Sequence, residues 1–213
     1  MAREYMDEQY LKLMQDMNDE AGIEEAKSVL EQEIAAQDIT GGQATIHGQI
    51  VTFAPRELLN GKMKVTLPKE WHDMEPQFIK LKYPQESRPP VILTDSTTAI
   101  NLTLNPLARQ LKPEGLEAFR NTMKLVTGKM TKARFMEEGM IKAGEGEVPK
   151  SWFDFTVEGL DARLYNLIFF LSLEERALMV TFNCLVKDQE RWKPIVFDMM
   201  KTVELKEQYR IRA

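Results

Sequence analysis

Two histidines, His47 and His72, and a single cysteine, Cys184, are the imidazole and thiol groups of this 213-residue chain, so a site using either must be built around one of them. "EWHDMEP" sets His72 beside Glu70, Asp73 and Glu75, donors that a divalent cation accepts. As a charged segment following a strand-like run it reads instead as a solvated turn, and no metal is expected. Asp154 and Asp161 could work as a general acid and base, but nothing in their spacing marks them out. The chain contains no nucleophile elbow, no phosphate-binding P-loop and no HExxH run. "GEG" at Gly144 to Gly146 is a hairpin tip, and "NLT" from Asn101 is a glycosylation sequon by letters only. Cys184 cannot form an internal disulfide and reads as a small apolar core residue. No cofactor and no catalytic residue is therefore assigned.

The remaining chemistry is amide and hydroxyl, and it lies on strands. In "AINLTLNP" a period of two puts Ile100, Leu102 and Leu104 on one face and Asn101, Thr103 and Asn105 on the other. Sorted in the same way, later runs add Trp152, Asp154 and Thr156, then Asn166, Ile168 and Phe170, then Met179, Thr181 and Asn183 to the amide face. Phe153, Phe155, Tyr165, Leu167, Phe169, Val180, Phe182 and Cys184 fall on the opposite face as the main core. Four Asn, three Thr and an Asp are too many for dry core, because a buried amide without a partner costs about 1–3 kcal/mol. The face is also too aromatic for idle surface. Asn101, Thr103, Asn105, Trp152, Asp154, Asn166, Thr181 and Asn183 are expected to line a semi-open concavity bordered by a helix, taking a peptide, a protein element or a small polar ligand. The competing expectation is that these groups bond one another under a helical cover.

The elements that must position this face follow from the hydrophobic pattern. Residues 1–40 carry three bases and eleven acids, 3 − 11 = −8, which leaves 25 − 22 = +3 for the remainder. No basic cluster suits nucleic acid, and no apolar run is long enough to cross a membrane. The acidic start lacks the features of a secretory signal, so a cytoplasmic location is expected. Met6, Tyr10, Leu13 and Met17, then Ile23, Ala26, Leu30 and Ile34, recur at helical spacing and define an acidic helical arm over residues 1–43, closed by "TGGQ". Residues 44–213 form the domain proper. "ATIHGQIVTF" and "KMKVTLP" read as strands joined through Asn60-Gly61, and Pro76 opens a short helix. "PVILT" and "AINLTLNPL" form a hairpin through "DSTT". Leu116, Phe119, Met123, Val126 and Met130 stripe a longer helix, and four strands follow over about 133–141, 152–157, 163–173 and 178–186. A last helix uses Trp192, Ile195, Val196, Met199 and Val203, its regular part starting at Pro194. Hairpins dominate over crossovers, so the fold class is α+β, helices on a largely antiparallel sheet.

"KVTLPKEW", "AINLTLNPL", the striped helix and "SWFDFTVEGLDARLYNLIFFLSLEERALMVTFNC" with its closing helix together resemble the PsbP/DcrB-like fold over residues 50–205. That grouping holds photosystem II extrinsic subunits, a Ran-binding nuclear-import factor and the Eag-type chaperones of type VI secretion effectors. "KYP…RPPVILT", "WFDF", "LYNLIFF" and "TFNC…WKP" are similar to uncharacterised bacterial proteins of this fold. The resemblance implies an α/β/α sandwich used as a scaffold for protein contacts. Eag-type proteins present an apolar groove, whereas the matching strands here carry Asn and Thr.

The expected function is a non-catalytic cytoplasmic adaptor or chaperone-like protein that binds a protein partner on the mixed face. A small-molecule binder or enzyme using the same concavity, with Asp154, is the alternative. A third reading is a homo-oligomer built through the N-terminal helices.

Overall fold

The computed structural model describes residues 28, 39–46, 48–142, 147–159 and 162–206. The two-helix expectation for the arm, together with His47, Asp161 and the "GEG" tip, lies outside these residues. Among them are eleven strands and three α-helices: β1 (Gln43–Ile46), β2 (Gln49–Leu58), β3 (Met63–Pro68), β4 (His72–Asp73), α1 (Pro76–Lys82), β5 (Val91–Thr94), β6 (Asn101–Gln110), α2 (Leu116–Met130), β7 (Arg134–Ile141), β8 (Lys150–Glu158), β9 (Arg163–Leu173), β10 (Arg176–Leu185), α3 (Gln189–Lys201) and β11 (Glu204–Leu205).

Antiparallel pairing joins them into two sheets, the larger in the order β4-β5-β6-β10-β9-β8-β7 and the smaller in the order β1-β2-β3-β11. The second sheet is a difference from expectation. "ATIHGQIVTF" is a hairpin, not one strand, since Gly48 turns the chain at φ 69° and Ala44 comes to face Val51. Asn60-Gly61 makes the expected turn, with Leu59, Asn60 and Gly61 at φ 54°, 57° and 76°.

The layers follow from the two faces of the large sheet. Its inner face, bearing Leu102, Leu104, Tyr165, Leu167, Phe169 and Phe182, packs on α3 and the small sheet in one continuous core. Trp71, stacked 5.6 Å from Trp192, links β3 to α3 in that core. Its outer face carries a second, smaller cluster of Phe153, Phe155, Ile168 and Phe170 under Leu116 and Phe119 of α2. Pro194 lies inside α3, which begins five residues earlier than expected. The lost bond and ring clash cost about 3 kcal/mol, whereas burying Trp192, Ile195, Val196 and Met199 contributes roughly 1.5–3 kcal/mol apiece. Packing decides.

Lys150, 1% exposed, is the largest charged intrusion into this interior, its Nζ donating to Val148 O at 2.6 Å. Burial pulls the amine down from 10.5 to about 8, with Glu147 opposing. The folded value lies below the unfolded one, so between these pH values the unfolded chain holds more protons, and the penalty on the fold fades as pH rises. Lys150→Met is expected to stabilise the protein at pH 7 by about 1–3 kcal/mol. That advantage should shrink by pH 10 in urea unfolding of the two chains; an advantage that grows with pH would contradict this account.

Candidate functional site

Three central strands agree on the mixed face. Asn101 pairs with Asn183, Thr103 with Thr181 and Asn105 with Met179, while across β10 Asn183 pairs with Asn166, Thr181 with Ile168 and Met179 with Phe170. The next strand does not agree. Trp152 pairs with Phe169 and Asp154 with Leu167, so both belong to the inner face, and Phe153 and Phe155 take the outer one. This corrects the grouping read from the sequence. One side of β8, with Phe153, Phe155 and Val157, is apolar and the other, with Lys150, Trp152, Asp154 and Thr156, is mostly polar; the sequence reading turns the apolar side inward, whereas it packs under α2, and one residue of register exchanges the two.

At one end of the outer face the amides bond among themselves. Asn101 is 3% exposed; its Nδ2 donates to Asn183 Oδ1 at 2.9 Å and to Thr98 O at 3.2 Å, and its Oδ1 accepts from Thr94 Oγ1 at 2.8 Å. Tyr83, after α1, bonds Asn183, and its burial raises the phenol above the ordinary value while that bond lowers it. Thr103 is buried beside them, and Asn105, Asn166, Thr181 and Asn183 are half-buried.

Asp154, wholly buried, is the hub of a separate cluster on the inner face. Its Oδ1 accepts the Glu137 N–H at 2.7 Å, and its Oδ2 accepts from Tyr165 Oη at 2.9 Å and Lys193 Nζ at 2.7 Å. Glu137 sits at the irregularity of β7 between Phe135 and Glu138, so the carboxylate holds a bulge amide as it pins α3 to β8. Lys193 also meets Glu137 Oε2 at 3.0 Å and lies 5.6 Å over the Trp152 ring. Burial lowers its amine, but the bonds to Asp154 and Glu137 outweigh that and leave it raised. Desolvation and then Asp154 push the Tyr165 phenol far up. Desolvation raises the Cys184 thiol as well, keeping it protonated and inert. The cluster is a saturated structural tie, turned away from the outer face. Among the described residues no group of three or more His, Cys, Asp or Glu side chains converges as a metal site would.

An open feature lies where α2 leaves the sheet uncovered. One flank of α2 is tied to β7: Arg120, 6% exposed, donates to Gly139 O at 3.2 Å, and Lys124 pairs with Glu138 at 2.7 Å. The opposite flank faces the end of β6 across a cavity of about 560 Å³, lined by Leu107, Arg109, Lys112, Ala118, Phe119 and Met123 among others. Arg109 and Lys112 are its charged groups, and no acid lines it. Sequence reasoning placed Phe119 and Met123 on the apolar stripe of a helix and missed the groove. The available signal was Leu125, an apolar residue off the expected stripe.

No family model matches the chain, and no curated protein matches it. Among solved structures, cyanobacterial PsbP (CyanoP) from Synechocystis sp. PCC 6803 superposes over 75% of this chain and 96% of its own, at 10% identity and a TM-score of 0.52. The chain has the PsbP-like fold. The same comparison returns the Saccharomyces cerevisiae Ran-binding protein Mog1p, at 10% identity over 73% of this chain and 96% of that one with a TM-score of 0.48. It also returns the immunity protein TplEi from Pseudomonas aeruginosa, at 8% identity over 73% and 72% with a TM-score of 0.38. In this PsbP-like chain no described helix is long and apolar enough to cross a membrane.

Asp154→Ala is expected to cost about 3–5 kcal/mol, because it takes the acceptor from the Tyr165 hydroxyl and a bulge amide and leaves Lys193 with Glu137 alone. Asp154→Ala combined with Lys193→Met should recover part of that loss. A double-mutant cycle by urea unfolding measures the coupling, and additive losses would remove the tie.

Proposed function

We propose that this is a non-catalytic, cytoplasmic adaptor or chaperone-like protein, with an arm over residues 1–43 and a domain over 44–213, that binds a protein partner on the outer face of the large sheet. One observation carries the reading: α2 covers β8 and β9 but leaves an apolar, base-rimmed groove toward β6. An α+β sheet normally buries each face under a packed layer, and here that layer stops short at the end of β6. The binding surface assigned to the partner is therefore the groove, with half-buried Asn105, Thr181, Asn166 and Asn183 extending it along the sheet. Asn101 and Thr103 support that surface from beneath.

The chemistry of the groove specifies the partner class. A helix laid beside α2 at the usual separation of about 8–10 Å fills a half-layer, its apolar stripe on Leu107, Phe119 and Met123. Arg109 and Lys112 favour acids on the flank of that helix. Asp154 cannot serve as a catalytic group for a ligand held there, since it points to the inner face and all its visible bonds are internal.

Ala118 and Thr122 line the groove and are exposed, so acids at these positions obstruct it without opening the core. The full chain should retain one defined partner through repeated affinity purification, and Ala118→Glu with Thr122→Glu should lower recovery at least tenfold while shifting the melting temperature by no more than a few degrees. Undiminished recovery with the double variant would refute the assigned surface.

A further inference from the structure

The groove does not end at Met123. On a helical wheel Ala118, Phe119, Thr122 and Met123 share one flank of α2 with Leu125, Val126 and Met130. These last three are exposed, Leu125 at 69% and Met130 at 77%. Val126 and Met130 prolong the apolar wall to the helix C-terminus, giving a strip from Ala118 of about 18 Å at 1.5 Å per residue, with Leu125 on its solvent-facing rim, half a turn from buried Leu116. The strip's charged neighbours are basic: Arg109 and Lys112 line the groove and Lys129 lies on the same flank of α2, whereas Arg120 and Lys124 are committed to the β7 flank.

The chain contains a segment of matching chemistry. Residues 1–38 hold eleven acids and three bases, 3 − 11 = −8, and Met6, Tyr10, Leu13 and Met17 recur at spacings of four, three and four. That stripe spans roughly 17 Å as a helix, within the length of the strip. Reach is sufficient. Ile39 is anchored in the inner core at 3% exposure, two layers from the groove, and layers pack about 10 Å apart. The link has to pass round the edge of the large sheet, and residues 19–38 span roughly 30 Å if wholly helical and about 66 Å if extended, which supplies that path.

We propose that the strip along α2 is the docking site of this chain's own residues 1–18, held in cis by the Met6–Met17 stripe and by opposite charge. This rests on the groove being a binding surface, and it adds regulation: the external partner competes with the arm for one half-layer. Effective concentration favours the tethered segment over any free helix of equal affinity, so the partner has to bind more tightly or relieve the arm.

The test uses the full chain with p-benzoylphenylalanine in place of Leu125, irradiated and mapped by mass spectrometry. Adducts to peptides within residues 1–18 in the monomer band are expected, falling at least threefold with Arg109→Glu and Lys112→Glu. Absence of such adducts overturns the proposal, and adducts confined to a dimer band assign the strip to a second copy and overturn it too. A second arm of the experiment makes the stripe polar with Met6→Ser, Tyr10→Ser, Leu13→Ser and Met17→Ser. Partner recovery should then rise at least threefold. Unchanged recovery with that chain refutes competition and leaves the binding surface standing, whereas cis adducts with no retained partner refute the binding function alone.

Discussion

The register of β8 on β9 is the constraint on which the rest of this structure depends. With Trp152 against Phe169 and Asp154 against Leu167, Phe153 and Phe155 are sent outward to meet α2, and a carboxylate is sent inward. A slip of one residue would put that carboxylate under α2 and both phenylalanines among the side chains of α3. Asp154 makes the slip costly, because only the native register brings it to Lys193, Tyr165 and the Glu137 amide together. Burial of a charge, ordinarily a liability, here selects one alignment among several that hydrophobicity alone would accept.

From that register follows the uneven cover of the outer face. Phe153 and Phe170 draw α2 onto β8 and β9, and Phe119 meets Phe170 edge-on at 5.3 Å. Arg120 and Lys124 then tie one flank of α2 to β7. Nothing comparable holds the other flank among the described residues, so the helix stands to one side of its sheet and the groove toward β6 is the space left over. Of the apolar groups of α2 that remain uncovered, Val126 and Met130 lie on the groove side and Leu125 on the solvent crest, none of them on the tied flank.

The amides have two roles that composition merges. Asn101 and Thr94 form a sealed bond network at the β5–β6 turn, where Asp95 also accepts the Ile100 and Thr97 amides. Asn105, Asn166, Thr181 and Asn183 retain exposure. A buried polar group demands partners, and those partners come from strands far apart in sequence, such as the 82 residues between Asn101 and Asn183.

The amino-acid sequence by itself determined the elements: nearly every strand and helix of residues 44–205, the Asn60-Gly61 turn, the α+β class and the PsbP-like order can be read from periodicity, turn residues and pattern. It also determined the alternation on β6, β9 and β10, because on these strands the more apolar side is the inner one. Only the tertiary structure decided which way β8 faces, that the first strands form a sheet of their own, that α3 absorbs Pro194, and that the stripe of α2 is half cover and half open wall. The physical reason is common to all four. Local pattern records which residues avoid water, whereas pairing register, the energy that offsets a misplaced proline and the place where a helix runs out of sheet are set by contacts between segments far apart in the chain.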